Sequence, residues 1–149
     1  MDLLEKDFGT RIVVEDHCTG LRPFYYPVAE DVPPLQALSD GYLDAAPCAR
    51  MKPLRERLDF SQRLAQEYRV DAIVYVSLKF CSCYAISMSS FVKRFESLGI
   101  PVLDISSDYS ESDLGQLRTR VGAFLELLEK RGAGERHAAR ALQGAAPAA

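Results

Sequence analysis

The residues best equipped for chemistry are four cysteines, Cys18, Cys48, Cys81 and Cys83, with His17 beside the first. Successive cysteines lie 30, 33 and 2 positions apart. Zinc sites usually show paired short spacings, and here only the C-x-C of Cys81 and Cys83 resembles a pair. With 2 histidines in the chain, support for zinc is poor. A thioredoxin-type C-x-x-C is missing, so disulfide exchange has no direct support. Thiolates delivered from separate loops suit an iron–sulfur cluster, whose ligands need not be neighbours in sequence. Two other readings stand beside that one. A nucleophilic Cys18 would need hydrogen-bond contact with His17, which adjacent residues seldom achieve, and no third orienting group is identifiable. Four unrelated buried thiols are equally compatible, because free cysteine is among the most buried residue types. His17 then reads as a solvated loop residue. Arg22 and Lys79 could hold phosphate or carboxylate groups, or be plain surface charges. Arg118 and Arg120 fall near a helix start, where cations oppose the dipole, and so call for an anionic ligand or an acidic neighbour.

Bulk properties limit the partners. A chain of 149 residues suffices for one domain with a core. Hydrophobic residues at 48% and charged residues at 26% are ordinary globular values. A net charge of −3 argues against a nucleic-acid grip, which needs a basic face. No apolar run approaches the roughly 20 residues of a membrane span. The start, MDLLEKDFGTRIVVED, lacks a basic n-region and apolar h-region, so it does not read as a signal peptide. A cytoplasmic, reducing setting is expected, with the cysteines as thiols or metal ligands instead of disulfides.

Three short β-branched runs must position these residues: Arg11–Glu15 (RIVVE), Ala72–Ser77 (AIVYVS) and Pro101–Ile105 (PVLDI). Each is nearly continuous in its hydrophobicity, as expected for strands covered on both faces. Amphipathic helical patterns run over Pro53–Tyr68, Tyr84–Leu98 and Leu114–Leu128, with stripes such as Leu54, Leu58, Leu64, Ala65 and Tyr68 in the first. Gly99 reads as a helix stop and Ser112 as an N-cap. Strands alternating with helices predict an α/β fold: a Rossmann-like three-layer domain with a short parallel sheet. Its first crossover is long and rich in proline, an insertion after the first strand with an extra helix near Leu35–Asp44. The domain is expected over residues 1–131, with a frayed Ala/Gly-rich tail over 132–149.

Ligands of open parallel sheets bind beyond the carboxyl ends of the strands. After the first run come His17, Cys18 and Arg22; after the second, Lys79, Cys81 and Cys83; after the third, Ser106, Ser107, Asp108 and Tyr109. Three of the four cysteines are thereby expected on one rim, and Cys48 sits in the insertion that starts there.

The segments VVEDHCTGLR (Val13–Arg22), YLDAAPCARM (Tyr42–Met51), VDAIVYVSLKFC (Val70–Cys81), GIPVLDISSDYS (Gly99–Ser110) and GQLRTRVGAFLELL (Gly115–Leu128) resemble the 2-hydroxyacyl-CoA dehydratase family, which includes benzoyl-CoA reductase subunits and double-cubane-cluster proteins. The likeness runs in order from about Ile12 to Leu128. It implies a C-terminal lobe that offers Cys81, Cys48 and Cys18 to an iron–sulfur cluster, 4Fe–4S or double-cubane. It implies an ATP-dependent activator that injects one electron, and an acyl-CoA substrate that undergoes radical elimination of water or, in the reductases, ring reduction. It further implies an N-terminal lobe or homologous second subunit as partner, with no nucleic acid and no membrane. Ser82 and Cys83 depart from the Asp and Pro that commonly follow KFC in the family, which leaves Cys83 as an extra ligand or a buried thiol. Nothing here corresponds to the family's N-terminal lobe. The chain is therefore expected to be a fragment, a split gene product or a shortened relative, contributing to an enzyme or acting as an orphan cluster- or partner-binding domain.

Overall fold

The computed structural model describes residues 2–17, 19–43, 45, 48–50, 54–108 and 110–131, without the side chain of Glu111. Its centre is a pair of parallel strands, β1 (Ile73–Leu78) and β2 (Val102–Ser107), in register from Ile73 opposite Val102 to Leu78 opposite Ser107. Alternation along the strands sends Ile73, Tyr75 and Val102 to one face, and Val74, Leu103 and Ile105 to the other. Helices cover both faces, so the α/β three-layer expectation with a short parallel sheet holds.

Between Arg22 and the sheet lie α1 (Arg22–Tyr25), α2 (Pro34–Leu43) and α3 (Leu54–Glu67). Prolines open α1 and α2, where a missing N–H costs nothing. The helix expected near Leu35–Asp44 is α2, but no strand precedes it among the described residues, so this stretch is not a crossover of the sheet. The crossover between the strands is α4 (Ser82–Ser97). It ends at Gly99, whose φ of +74° fits the left-handed stop expected there, and Ile100 follows as a buried residue. Helix α5 (Leu114–Lys130) closes the opposite face.

Two apolar clusters result. Ala65, Tyr75, Phe91, Phe95 and Ile100 join α3 and α4 to one face. The rings of Phe91 and Phe95 lie 4.5 Å apart and those of Tyr75 and Phe91 4.8 Å, close enough for about 0.5–1.5 kcal/mol per pair beyond area burial. Leu103, Ile105 and Val121 form the second cluster, with Leu3, Leu4 and Phe8 of the N-terminal segment packed against it.

The structure corrects three expectations. Arg11–Glu15 is not a strand: the described sheet has two strands. Side-chain carboxylates capture donors in and beside this segment, Glu5 taking the amide of Ile12 and Glu15 those of His17 and Leu21. Val13 is left exposed, and a cavity of about 320 Å³ lies against the segment, lined by Ile12, Val13, Val14, Leu21 and Tyr68 among others. Ser112 does not cap α5, because the chain enters through a 3₁₀ turn (Glu111–Asp113) that makes Asp113 the flanking residue, while Ser112 Oγ pairs with Ser110 Oγ. The buried stripe of α3 is Arg57, Phe60, Ser61, Leu64 and Ala65, rotated from the Leu54–Leu58–Tyr68 line. Two polar residues therefore occupy core positions.

Candidate functional site at the carboxyl ends of the strands

The end of β1 is held to the end of β2. The amide of Lys79 donates to the carbonyl of Ser107, adding one rung to the ladder. Its ammonium then reaches Asp108 at 3.1 Å and Asp113 at 3.0 Å. These carboxylates, Asp113 foremost, raise the Lys79 pKa above its ordinary 10.5. Hydrogen bonds from Ser110, followed by Lys79, hold Asp108 well below the usual carboxylate range. Lys79 is thus engaged by acidic neighbours on the rim.

Phe80 follows with φ +67°, an uncommon conformation for a bulky residue, and its side chain is fully exposed. This turn is closed by the Cys81 amide donating to Leu78 O at 3.0 Å. It delivers Cys81 to the N-cap of α4, where its carbonyl accepts the first helical bond from Ala85 and its side chain makes no capping bond. Cys81 therefore stands at the junction between the carboxyl end of β1 and the first turn of the 16-residue α4. Cys81 and Cys83 are both half-buried and outside any disulfide. Cys48 is half-buried in the segment between α2 and α3. Cys18 lies outside the described residues, as do Tyr109 and the 132–149 tail. Among the described residues no three His, Cys, Asp or Glu side chains gather as a metal site. As a thiol donor, Cys81 is of the chemical type that fits an iron–sulfur cluster.

The loop that carries Cys18 is organised by Glu15, whose carboxylate accepts from the amides of His17 at 3.0 Å and Leu21 at 2.5 Å. Gly20 makes this possible, since a Cβ there would sit 1.8 Å from Glu15 Oε1. His17 is largely exposed, with Nδ1 3.6 Å from Glu15, as expected of a solvated loop residue. Arg22 is buried and bonded to Asp16, so it is a structural ion pair and not an open anion hook. Arg118 pairs with Asp7, and Arg120 reaches the carbonyl and carboxylate of Asp104. Acidic neighbours account for both.

Sequence reasoning missed the buried polar groups beneath this rim. Arg57 Nη1 donates to Ser87 Oγ at 3.0 Å, and its guanidinium lies 4.7 Å over the Tyr84 ring. Tyr75 Oη donates to Tyr84 O at 2.9 Å and lies 3.0 Å from Ser87 Oγ. Ser61 Oγ donates to Asp16 at 2.7 Å. The available signal was a charged and a hydroxyl residue four apart within an apolar helical stripe.

Among the described residues no helix is long and apolar enough to cross a membrane. The chain is 40% identical over 122 residues to a protein of Escherichia coli (strain K12) named as dehydratase subunit YjiM, covering 80% of this chain and 31% of that one. It is 26% identical over 128 residues to the (R)-phenyllactyl-CoA dehydratase beta subunit of Clostridium sporogenes, covering 86% of this chain and 34% of that one. The chain therefore spans about a third of the length of these curated relatives. The family model described as 2-hydroxyglutaryl-CoA dehydratase, D-component, matches residues 1–128, and the chain belongs to that family.

Proposed function

We propose that this chain is a C-terminal lobe of a 2-hydroxyacyl-CoA dehydratase subunit, spanning residues 1–131, that presents thiolates to an iron–sulfur cluster shared with a second lobe or subunit. The observation that carries the reading is Cys81: a thiol without a capping bond, at the N-terminus of α4 and at the carboxyl end of β1. Cys48 and Cys18 are the further ligands, and the dehydratase names of the relatives supply the reaction class. When bound, the cluster supplies single electrons at low potential, delivered by an ATP-dependent activator in a cytoplasmic setting. The overall reaction is elimination of water from a 2-hydroxyacyl-CoA.

In this reading the chain's own residues orient and shield. Lys79, Asp108 and Asp113 fix the turn that delivers Cys81. Glu15 and Gly20 shape the loop that carries Cys18. Fully exposed Phe80 stands next to Cys81 on the surface that the partner lobe would cover, where its ring would exclude water.

The test is anaerobic reconstitution with iron and sulfide, of the chain alone and together with a second lobe taken from a dehydratase subunit. The proposal predicts bound iron and acid-labile sulfide with thiolate-to-iron absorption, strongest when both lobes are present. A colourless, iron-free product in both cases would leave a non-enzymatic, partner-binding domain as the better description.

A further inference from the structure

We propose that Arg57 and Ser61, one turn apart on the buried face of α3, are positioning residues that hold Asp16, at the head of the Asp16–Arg22 segment, and the Cys81–Cys83 turn in one frame. The proposal rests on the reading above in that it concerns the same thiols, but its geometry stands on other side chains.

Helix α3 reaches in two directions. Ser61 Oγ donates to Asp16 Oδ2 at 2.7 Å, and Asp16 also accepts from Arg22, so Asp16 links the Arg22 end of this segment to α3. Tyr25 and Tyr26 extend the tie, their rings packing 5.0 Å and 6.2 Å from that of Phe60. One turn earlier, Arg57 points at the first two turns of α4. It bonds Ser87 at 3.0 Å and lies 4.7 Å over the Tyr84 ring, while Ser87 Oγ in turn reaches the carbonyl of Cys83 at 3.0 Å. Tyr75 of β1 joins the same two α4 residues from the sheet side.

These groups are unusual occupants of a core. Arg57 is 3% exposed, Ser61 6% and Ser87 4%. Among the described residues no carboxylate pairs with Arg57, and its Nε has no hydrogen-bond partner. A buried guanidinium without a counterion is costly, and a leucine or methionine would fill the space without that cost. What an apolar residue could not do is make directional contacts that fix rotation and register, the best-attested use of buried polar groups. Because both contacts spring from one helical turn, the separation between Asp16 and the start of α4 becomes a property of α3.

Spin labels on Cys81 and on a cysteine introduced by His17→Cys, in the full chain with Cys18→Ser, Cys48→Ser and Cys83→Ser, read that separation directly by pulsed dipolar spectroscopy on metal-free protein. A single narrow distance peak is expected. Ser61→Ala and Arg57→Met are each expected to lose it and give a broad distribution, while Ser61→Thr, which keeps the hydroxyl, retains it. Circular dichroism reports folding separately, and Ser61→Ala removes one oxygen atom, so at least this variant remains folded. Were the two residues merely structural, melting would fall with the peak unchanged, and a narrow peak in folded Ser61→Ala overturns the proposal. Loss of the cluster reading would show instead as absence of iron on reconstitution, which leaves the spin-label distances as they are.

Discussion

Tyr75→Phe and Ser87→Ala delete hydroxyls that meet in the same buried network, yet they should differ in cost. Tyr75 Oη touches Tyr84 O and Ser87 Oγ, and both of those retain other bonds: Ser87 Oγ reaches Tyr84 O at 3.1 Å and accepts from Arg57 at 3.0 Å. Tyr75→Phe therefore leaves no orphaned group, and its ring keeps its place 4.8 Å from Phe91. The loss should be that of an ordinary hydrogen bond, about 1 kcal/mol. For a domain of this size that lowers the melting temperature by roughly 3–5 °C. Ser87→Ala instead removes the acceptor of a buried guanidinium, and an abandoned charged donor costs about 2–4 kcal/mol. Urea and thermal unfolding followed by far-ultraviolet circular dichroism measure both. The account requires Ser87→Ala to be the more harmful; a Tyr75→Phe variant that loses as much or more would refute the reasoning.

Three other outcomes follow from the packing and charges. Phe95→Ala empties a fully buried site against Phe91 and should cost about 3–5 kcal/mol in the same unfolding assay. Gly20→Ala forces the Glu15 carboxylate off two amides, and should cost about 1–2 kcal/mol unless Glu15 finds another acceptor geometry, in which case stability is unchanged and the Gly20 argument fails. Asp108 has a folded-state pKa depressed below 3.8, so its contribution is fully present above that value and is lost as pH falls below it. Asp108→Asn should accordingly flatten the dependence of stability on pH below 3.8, and an unaltered acid limb would contradict the assignment.

The sheet and its crossover were legible because each local signal agreed with the tertiary structure. Val102, Leu103 and Ile105 give β2 its apolar signal, Gly99 takes the left-handed stop, and Phe91 and Phe95 face the core at helical spacing. Arg11–Glu15 carries the same composition, but its neighbourhood is dominated by Glu5 and Glu15, which compete for backbone donors that a strand ladder would use. Periodicity could not show that. The buried line of α3 was misplaced for a related reason: a search for apolar stripes discards Arg57 and Ser61, which are buried on this face. At the rim, sequence placed Lys79, Cys81 and Asp108 beyond the strand ends, where the structure brings Lys79 and Asp108 together. It could not show that Arg118 and Arg120 pair with Asp7 and Asp104, which are distant in sequence, or that Arg22 turns back on Asp16.

The central claim, that Cys81 leads the ligand set of a shared cluster, is tested most directly by the iron and acid-labile sulfide content of the anaerobically purified chain with its partner lobe. Cys81→Ser and Cys83→Ser are to be compared with the parent chain. The account predicts that Cys81→Ser loses the cluster while Cys83→Ser keeps it. Full iron content in Cys81→Ser would contradict it.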